Sequence, residues 1–228
     1  MNSKGDLKIY QENFVSIVEI NRAPNNHFDY RLIGDIADIY EELDTNKECR
    51  AIVLCSEGKH FCAGANFDQD RDMHDKKDPY EELYKQAVRL FKTKKPVIAA
   101  VQGGAIGGGL GLALSADFRV GCNESRFSAN FAKLGFHQGF GTSVTLPRVI
   151  GIQHSSDMLL TARRVKGDEA MQMGLIDKLV DIKEVRSAAI SMANGITNSA
   201  PLAVESIRAT LREGLAEQVE RVVDHELE

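Results

Sequence analysis

The 228-residue sequence has no block of basic residues, no apolar stretch approaching a membrane span, and no apolar segment in its opening MNSKGDLKIY. With a net charge of −5 and a pI near 5.7, the missing basic block argues against a nucleic-acid partner. The missing apolar stretches argue against a membrane partner and against a secretory leader. The four cysteines, Cys49, Cys55, Cys62 and Cys122, have neither C-x-x-C nor histidine-paired spacing, so neither a metal nor a disulfide framework is expected. A reduced, cytoplasmic protein is the expectation. Familiar site motifs are missing too: no strand-linked G-x-G-x-x-G, no P-loop lysine, no G-x-S-x-G elbow and no H-E-x-x-H.

What is present is enough for one large domain. A hydrophobic content of 43% and a charged content of 27% are ordinary for a globular chain with a real core. Leu7–Tyr10 and Phe14–Ile20 predict a hairpin joined by Gln-Glu-Asn, and Ala51–Cys55 and Val97–Val101 predict buried strands. Helical spacing runs from Phe28 to about Leu43, and from Asp78-Pro79 through Leu83, Ala87, Leu90 and Phe91. Between them, the charge-dense Asp68–Asp78 reads as a surface loop. Phe118–Gly121 and Arg126–Ser128 predict short strands, and Ser143–Ile150 and Ile152–Leu160 predict separate helical segments. A short helix at Gly167–Gly174 leads to a strand-like Leu175–Val180. Apolar stripes then follow at Val185–Ile196, Val204–Leu211 and Leu215–Val223, a helix-only tail that extends one α/β core.

The stretch Val97–Asp117, VIAAVQGGAIGGGLGLALSAD, organises the rest. An apolar strand passes through a Gly103-Gly104 turn and the triplet Gly107-Gly108-Gly109 into a small-residue helix. Such a passage leaves backbone N–H groups at the positive end of a helix, suited to a negative or developing-negative oxygen; close strand–helix packing is the structural alternative. A second glycine-bearing turn, Cys62-Ala-Gly-Ala65, follows the strand AIVLC. If the two strands are neighbours, one N–H from each turn can converge on one oxygen, and such donors are worth about 3 kcal/mol each to an enolate or tetrahedral oxyanion.

FCAGANF, then KPVIAAVQGGAIGGGLGLALSADFRV, then FSANFAKLGFHQGFGTSVTLPRVIG resembles the crotonase (enoyl-CoA hydratase/isomerase) superfamily, over essentially the whole chain. The resemblance implies an α/β fold, a crotonase (ClpP-like) spiral of ββα units over residues 1–195, with a C-terminal helical region over 196–228 in the same functional unit. It implies a homotrimer or hexamer acting on an acyl-CoA, with coenzyme A entering as the substrate thioester and no permanently bound cofactor. The oxyanion donors it implies are the N–H groups of Ala65 and Gly108. The CoA-contacting backbone it implies lies at Ala63 and in the Ala23-Pro24-Asn25 turn. Relatives commonly continue past the last matched helix, whereas this sequence stops at Glu228.

The departures concern acids. Family hydratases carry glutamates where this chain has Gly111 and Phe131, and another branch carries an aspartate where it has Gly139. Two glutamates activate water and deliver a proton; glycine and phenylalanine do neither. Ordinary syn-hydration is therefore not expected. Candidate replacements are His137 as acid or base, Asp68 as a carboxylate that reaches the acyl group if the loop after it closes, and Asn130 and Asn66 as orienting groups, each with a plainer reading as a loop, turn or cap residue. Tyr84 lies on the helix that lines the acyl side in relatives, with packing as its plainer reading. His27, His60 and His74 read as surface residues, and Arg22, Lys59 and Arg71 are the positive charges nearest the CoA-contacting turns. Two function classes follow: an enzyme working through a stabilised thioester enolate, and a binding protein that keeps the cradle without turnover. A structural oligomer that binds no thioester would leave both glycine turns unexplained.

Overall fold

Short β-branched runs open the chain. In the computed structural model, which describes residues 2–65 and 79–227, β1 (Asn2–Lys4) pairs antiparallel with β2 (Leu7–Glu12). β2 turns back through Asn13 into β3 (Val15–Ile20). Asn13 takes a φ of +55°, a left-handed conformation that asparagine tolerates better than most side chains. α1 (Tyr30–Thr45) begins where the Asp29 carboxylate accepts the Leu32 N–H at 2.8 Å. Its buried face is the predicted stripe, from Leu32 and Ile33 to Leu43.

β4 (Ala51–Ser56), α2 (Pro79–Phe91) and β5 (Val97–Val101) follow. Then come β6 (Gly104–Ile106), α3 (Gly108–Ser115), β7 (Phe118–Cys122) and β8 (Arg126–Ser128). The remainder runs α4 (Phe131–Leu134), α5 (Thr142–Thr161), β9 (Val165–Lys166), α6 (Gly167–Gln172) and β10 (Lys178–Val180). It closes with α7 (Val185–Thr197), α8 (Pro201–Leu211) and α9 (Leu215–Leu227).

Among the described residues the main sheet has the order β1-β2-β3-β4-β5-β7-β10, parallel from β3 onward, and β6-β8-β9 form a smaller sheet. Every residue of β3, β4 and β5 is buried, because both faces of the sheet are covered. Ile52, Leu54, Val97 and Ala99 face one core, under α1, α2 and α3, whereas Val53, Cys55, Ile98 and Ala100 face a second core under α7. Two covered faces explain continuous apolar runs in place of alternation. A third, smaller cluster joins Val88 and Phe91 of α2 to Leu215, Val219 and Val223, which fastens α9 to the body.

Four expectations are corrected or refined. Gly104 is part of a strand rather than a turn: Gly104–Ile106 pairs parallel with β8, a run too short and glycine-rich to show a period. In the tail, β10 bears out the strand-like end of Leu175–Val180, whereas β9, which completes the edge of the smaller sheet, was not expected. The predicted division between Ser143–Ile150 and Ile152–Leu160 is present: α5 is interrupted at Gly151, with φ +75° and ψ +165°. The α8 stripe, however, does not face a core, for Ile207 is 59% and Leu211 67% exposed. Asn66, Asp68, Arg71 and His74, and the loop Asp68–Asp78, lie outside the described residues. No described helix is long and apolar enough to cross a membrane.

Candidate active site

The neighbouring strands β4 and β5 bring their glycine turns together. Past β4, Cys62 pairs with Ala105 of β6, its N–H donating to Gly104 O at 3.0 Å and its carbonyl accepting the Ile106 N–H at 3.0 Å. Gly64, at φ +91°, packs so closely on this strand that a Cβ there would lie 2.8 Å from Ile106 O and 3.7 Å from Gly108 N. A side chain at Gly64 would therefore force the two turns apart. On the other side, Phe28 donates its N–H to Gly64 O at 3.1 Å, and its ring closes on Gly108 so tightly that a Cβ at Gly108 would overlap it. Ala65 and Gly108 line one cavity of about 370 Å³. Among the described residues neither N–H has a backbone or side-chain acceptor, as expected at the first residue of a helix such as α3.

The rest of the cavity is largely apolar. Phe28, Leu83, Ile106, Phe131, Leu134 and Phe140 contribute to its wall. The three positions without acids have been filled. A Cβ at Gly111 would sit 2.6 Å from the Phe140 Cβ, Phe131 itself forms wall, and a Cβ at Gly139 would collide with the Tyr84 hydroxyl. Tyr84 thus belongs to the cavity as well as to helix packing. Neither Gly111 nor Gly139 has room for a side chain.

Asn130 lines the cavity, and its Oδ1 would lie 2.9 Å from a Cβ at Gly107; although it precedes α4, it makes no capping hydrogen bond. His137 also lines the cavity, exposed, its Nδ1 within 2.8 Å of Gln138 O and its ring edge-on to His225, with centroids 5.1 Å apart. The residues of the expected CoA turn are adjacent. Ala23, Pro24 and Asn25 are exposed, with a cis Ala23–Pro24 bond, and Asn25 O accepts the Ala63 N–H at 3.0 Å. Arg22 is already committed to Asp6 and Asp29, at 2.5 and 3.2 Å, whereas Lys59 is exposed with no ion pair among the described residues.

Sequence reasoning misplaced two histidines and passed over two polar side chains. His60 is half-buried, and its Nδ1 accepts the Gly104 N–H at 2.9 Å, tying the first turn to the second; burial holds its pKa below the usual value. His27 is also half-buried, with Nδ1 3.2 Å from Gly64 O. Asn26, fully buried at φ +51°, accepts the Arg22 N–H and donates to the carbonyls of Glu57 and His60 at 2.7 and 2.6 Å. The other is Glu226 of α9, a buried carboxyl that lines the cavity. Its Oε2 accepts the Gly141 N–H at 2.8 Å and its Oε1 the Ser143 N–H at 3.2 Å. Burial pushes its pKa above the usual carboxylate value, against the pull of a hydrogen bond from the Ser143 hydroxyl, of these two N–H groups and of His137. The signal was there: with Leu215, Val219 and Val223, Glu226 continues the buried face of α9 at helical spacing. A charge on an apolar face needs a reason.

This mixed α/β arrangement is the crotonase fold. A solved enoyl-CoA hydratase/isomerase from Pseudoalteromonas atlantica superposes with a TM-score of 0.88 at 25% identity, over 97% of this chain and 88% of that one. DspI from Pseudomonas aeruginosa superposes with a TM-score of 0.86 at 26% identity, over 98% of this chain and 90% of that one. The enoyl-CoA hydratase/isomerase family profile matches residues 10–228. The short-chain-enoyl-CoA hydratase of Clostridium acetobutylicum is 31% identical over 222 residues, covering 96% of this chain and 85% of that protein. A peroxisomal Δ(3,5)-Δ(2,4)-dienoyl-CoA isomerase of Arabidopsis thaliana is 29% identical over 99% of this chain and 88% of that protein. The chain belongs to the enoyl-CoA hydratase/isomerase family of the crotonase superfamily, a family of acyl-CoA enzymes.

Proposed function

We propose that this protein binds an acyl-CoA with its thioester oxygen between the N–H groups of Ala65 and Gly108, and turns it over through an enolate without the two-glutamate hydration mechanism. The observation that carries this reading is the meeting of the two turns in one cavity, with both N–H groups lacking an acceptor among the described residues. Donors fixed in a largely apolar wall stabilise developing negative charge without reorganising. Ala63 and the Ala23–Asn25 turn take the CoA moiety, with Lys59 the nearby cation for a phosphate. A homotrimer or a dimer of trimers accounts for the exposed apolar side chains of α8, Leu202, Ile207 and Leu211.

One observation favours a second reading, a cradle without turnover: Phe140 and Tyr84 occupy the space of the missing acids. Calorimetry and a crotonyl-CoA assay separate these readings. Crotonyl-CoA should bind, and its enoyl absorbance should decay far more slowly than with a two-glutamate hydratase. Failure of both free CoA and crotonyl-CoA to bind at about millimolar concentration refutes both readings. Rapid hydration refutes the argument from Gly111 and Phe131. Sedimentation of a monomer at micromolar concentration refutes the oligomer.

A further inference from the structure

We propose that Glu226, carried into the cavity by the C-terminal helix α9, is the carboxyl that exchanges protons with the acyl chain in this protein. The inference rests on the acyl-CoA reading above and supplies the acid–base group which that reading lacks.

Three described lining side chains can pass a proton, Tyr84, His137 and Glu226, and Glu226 is the only carboxyl among them. His137 is exposed, whereas Glu226 is 6% exposed and faces the same space as Ala65 and Gly108. Its two oxygens are held by the Gly141 and Ser143 N–H groups where α5 begins, which fixes the carboxyl plane. The two oxygens offer four lone pairs; the two N–H groups take two and the Ser143 hydroxyl a third, which leaves one to take a proton. The groups around it are Tyr84 on α2, the Ser143 hydroxyl on α5, His137 on the loop between α4 and α5, and His225 beside it on α9; of these, the Ser143 hydroxyl and then His137 favour its charged form. Burial raises the carboxyl's pKa, in the direction that matches a base to neutral pH.

The chemistry suited to one carboxyl in an apolar wall is a proton shift without water. The C–H bond beside the thioester carbonyl of a 3-enoyl-CoA breaks, and the proton passes to Glu226. The bonding electrons move into the conjugated system, with the charge resting on the thioester oxygen between Ala65 and Gly108. Return of the proton to the γ-carbon restores the carbonyl, leaves a 2-enoyl-CoA and regenerates the carboxylate. No oxidant, reductant or water is consumed. The alternative is that Glu226 only caps α5 and docks α9.

The test uses 3-butenoyl-CoA with the full chain in D2O, read by mass spectrometry for deuterium in the acyl group and by the rise of enoyl absorbance. Glu226→Gln should bind the thioester like the wild type by calorimetry, yet lose at least about 100-fold in deuterium incorporation. Glu226→Asp should recover part of that loss. Wild-type exchange should rise with pH through one ionisation above the usual carboxylate range, a measurement that needs no variant to fold. Unchanged exchange in Glu226→Gln, a wild type that binds but does not exchange, or a flat wild-type profile between about pH 4 and about pH 8 overturns the assignment. A wild type that does not bind the thioester overturns the acyl-CoA reading itself, a separate result.

Discussion

Phe140, rather than the absence of a carboxylate, is what closes the Gly111 position, and a double-mutant cycle measures this. Gly111 is in the interior of α3, and a Cβ there would meet the Cβ, Cδ1 and Cγ of Phe140 at 2.6, 2.8 and 2.9 Å. All three are below the separation that real side chains adopt, and the first is next to the backbone, where no rotamer change relieves it. Overpacking of this kind costs about 1–3 kcal/mol. Replacing a helical glycine by alanine returns about 1 kcal/mol of helix propensity. Gly111→Ala should therefore destabilise the wild type by up to about 2 kcal/mol, the overpacking range less the propensity gain.

In a Phe140→Gly background the obstruction is gone, because glycine removes the Cβ together with the ring and accepts the φ of +61° at this position. That single change costs about 3–5 kcal/mol, because a fully buried ring leaves a cavity. Gly111→Ala added to it should then stabilise by about 1 kcal/mol. The coupling energy is the overpacking cost, about 1–3 kcal/mol, read from urea unfolding of the four proteins with a common m-value. A coupling within about 0.5 kcal/mol of zero refutes the steric argument. The functional corollary is that Gly111→Glu alone yields a destabilised protein that does not hydrate crotonyl-CoA faster.

Asp117 accepts from Arg208 Nε at 2.8 Å, Arg212 Nη1 at 3.0 Å and the Val97 N–H at 2.8 Å, joining α8 to the start of β5; Asp117→Ala should cost about 3–5 kcal/mol in urea unfolding by stranding two largely buried guanidiniums. Asn26→Ala should cost about 2–3 kcal/mol by unpairing the Arg22 N–H and the Glu57 carbonyl, the His60 carbonyl keeping the Ser56 hydroxyl, and should raise the dissociation constant for CoA about tenfold as the Ala23–Asn25 turn loosens. If CoA binding by calorimetry is unchanged in a folded Asn26→Ala, the turn is not part of the CoA site.

The scaffold was legible where local pattern and tertiary role agree. AIVLC and VIAAV read as buried strands because both faces of the sheet are covered, and Gly151 divided two helical runs because its backbone breaks α5. The glycine turns were legible because close backbone approach excludes side chains at Gly64 and Gly108. What was not legible depended on partners distant in sequence. β6 is three residues that count as a strand only through β8, and α8 has an apolar stripe whose exposure no single-chain pattern reveals. His60 gained its role from Gly104, 44 residues away, and Glu226 from Gly141, 85 residues away. Asn26, between an exposed turn and the start of α1, looked like one more turn former.

Glu226 also leaves a mark on stability that separates chemistry from docking. Its folded-state pKa is raised by burial, so the folded protein holds this proton to a higher pH than the unfolded chain, in which a glutamate titrates near about 4.3. Folding is then favoured most below the unfolded pKa. The contribution falls as pH rises from there through the raised folded value, and is constant above it. A helix cap selected for stability alone would run the other way, with the carboxylate preferred and its pKa depressed, because Gly141 and Ser143 offer N–H groups to the anion. Urea unfolding of the wild type across this window should show the decline, and Glu226→Gln should remove it. A wild type whose stability instead rises with pH over the same window, with the rise abolished in Glu226→Gln, would make Glu226 a structural cap and return the acid–base question to His137.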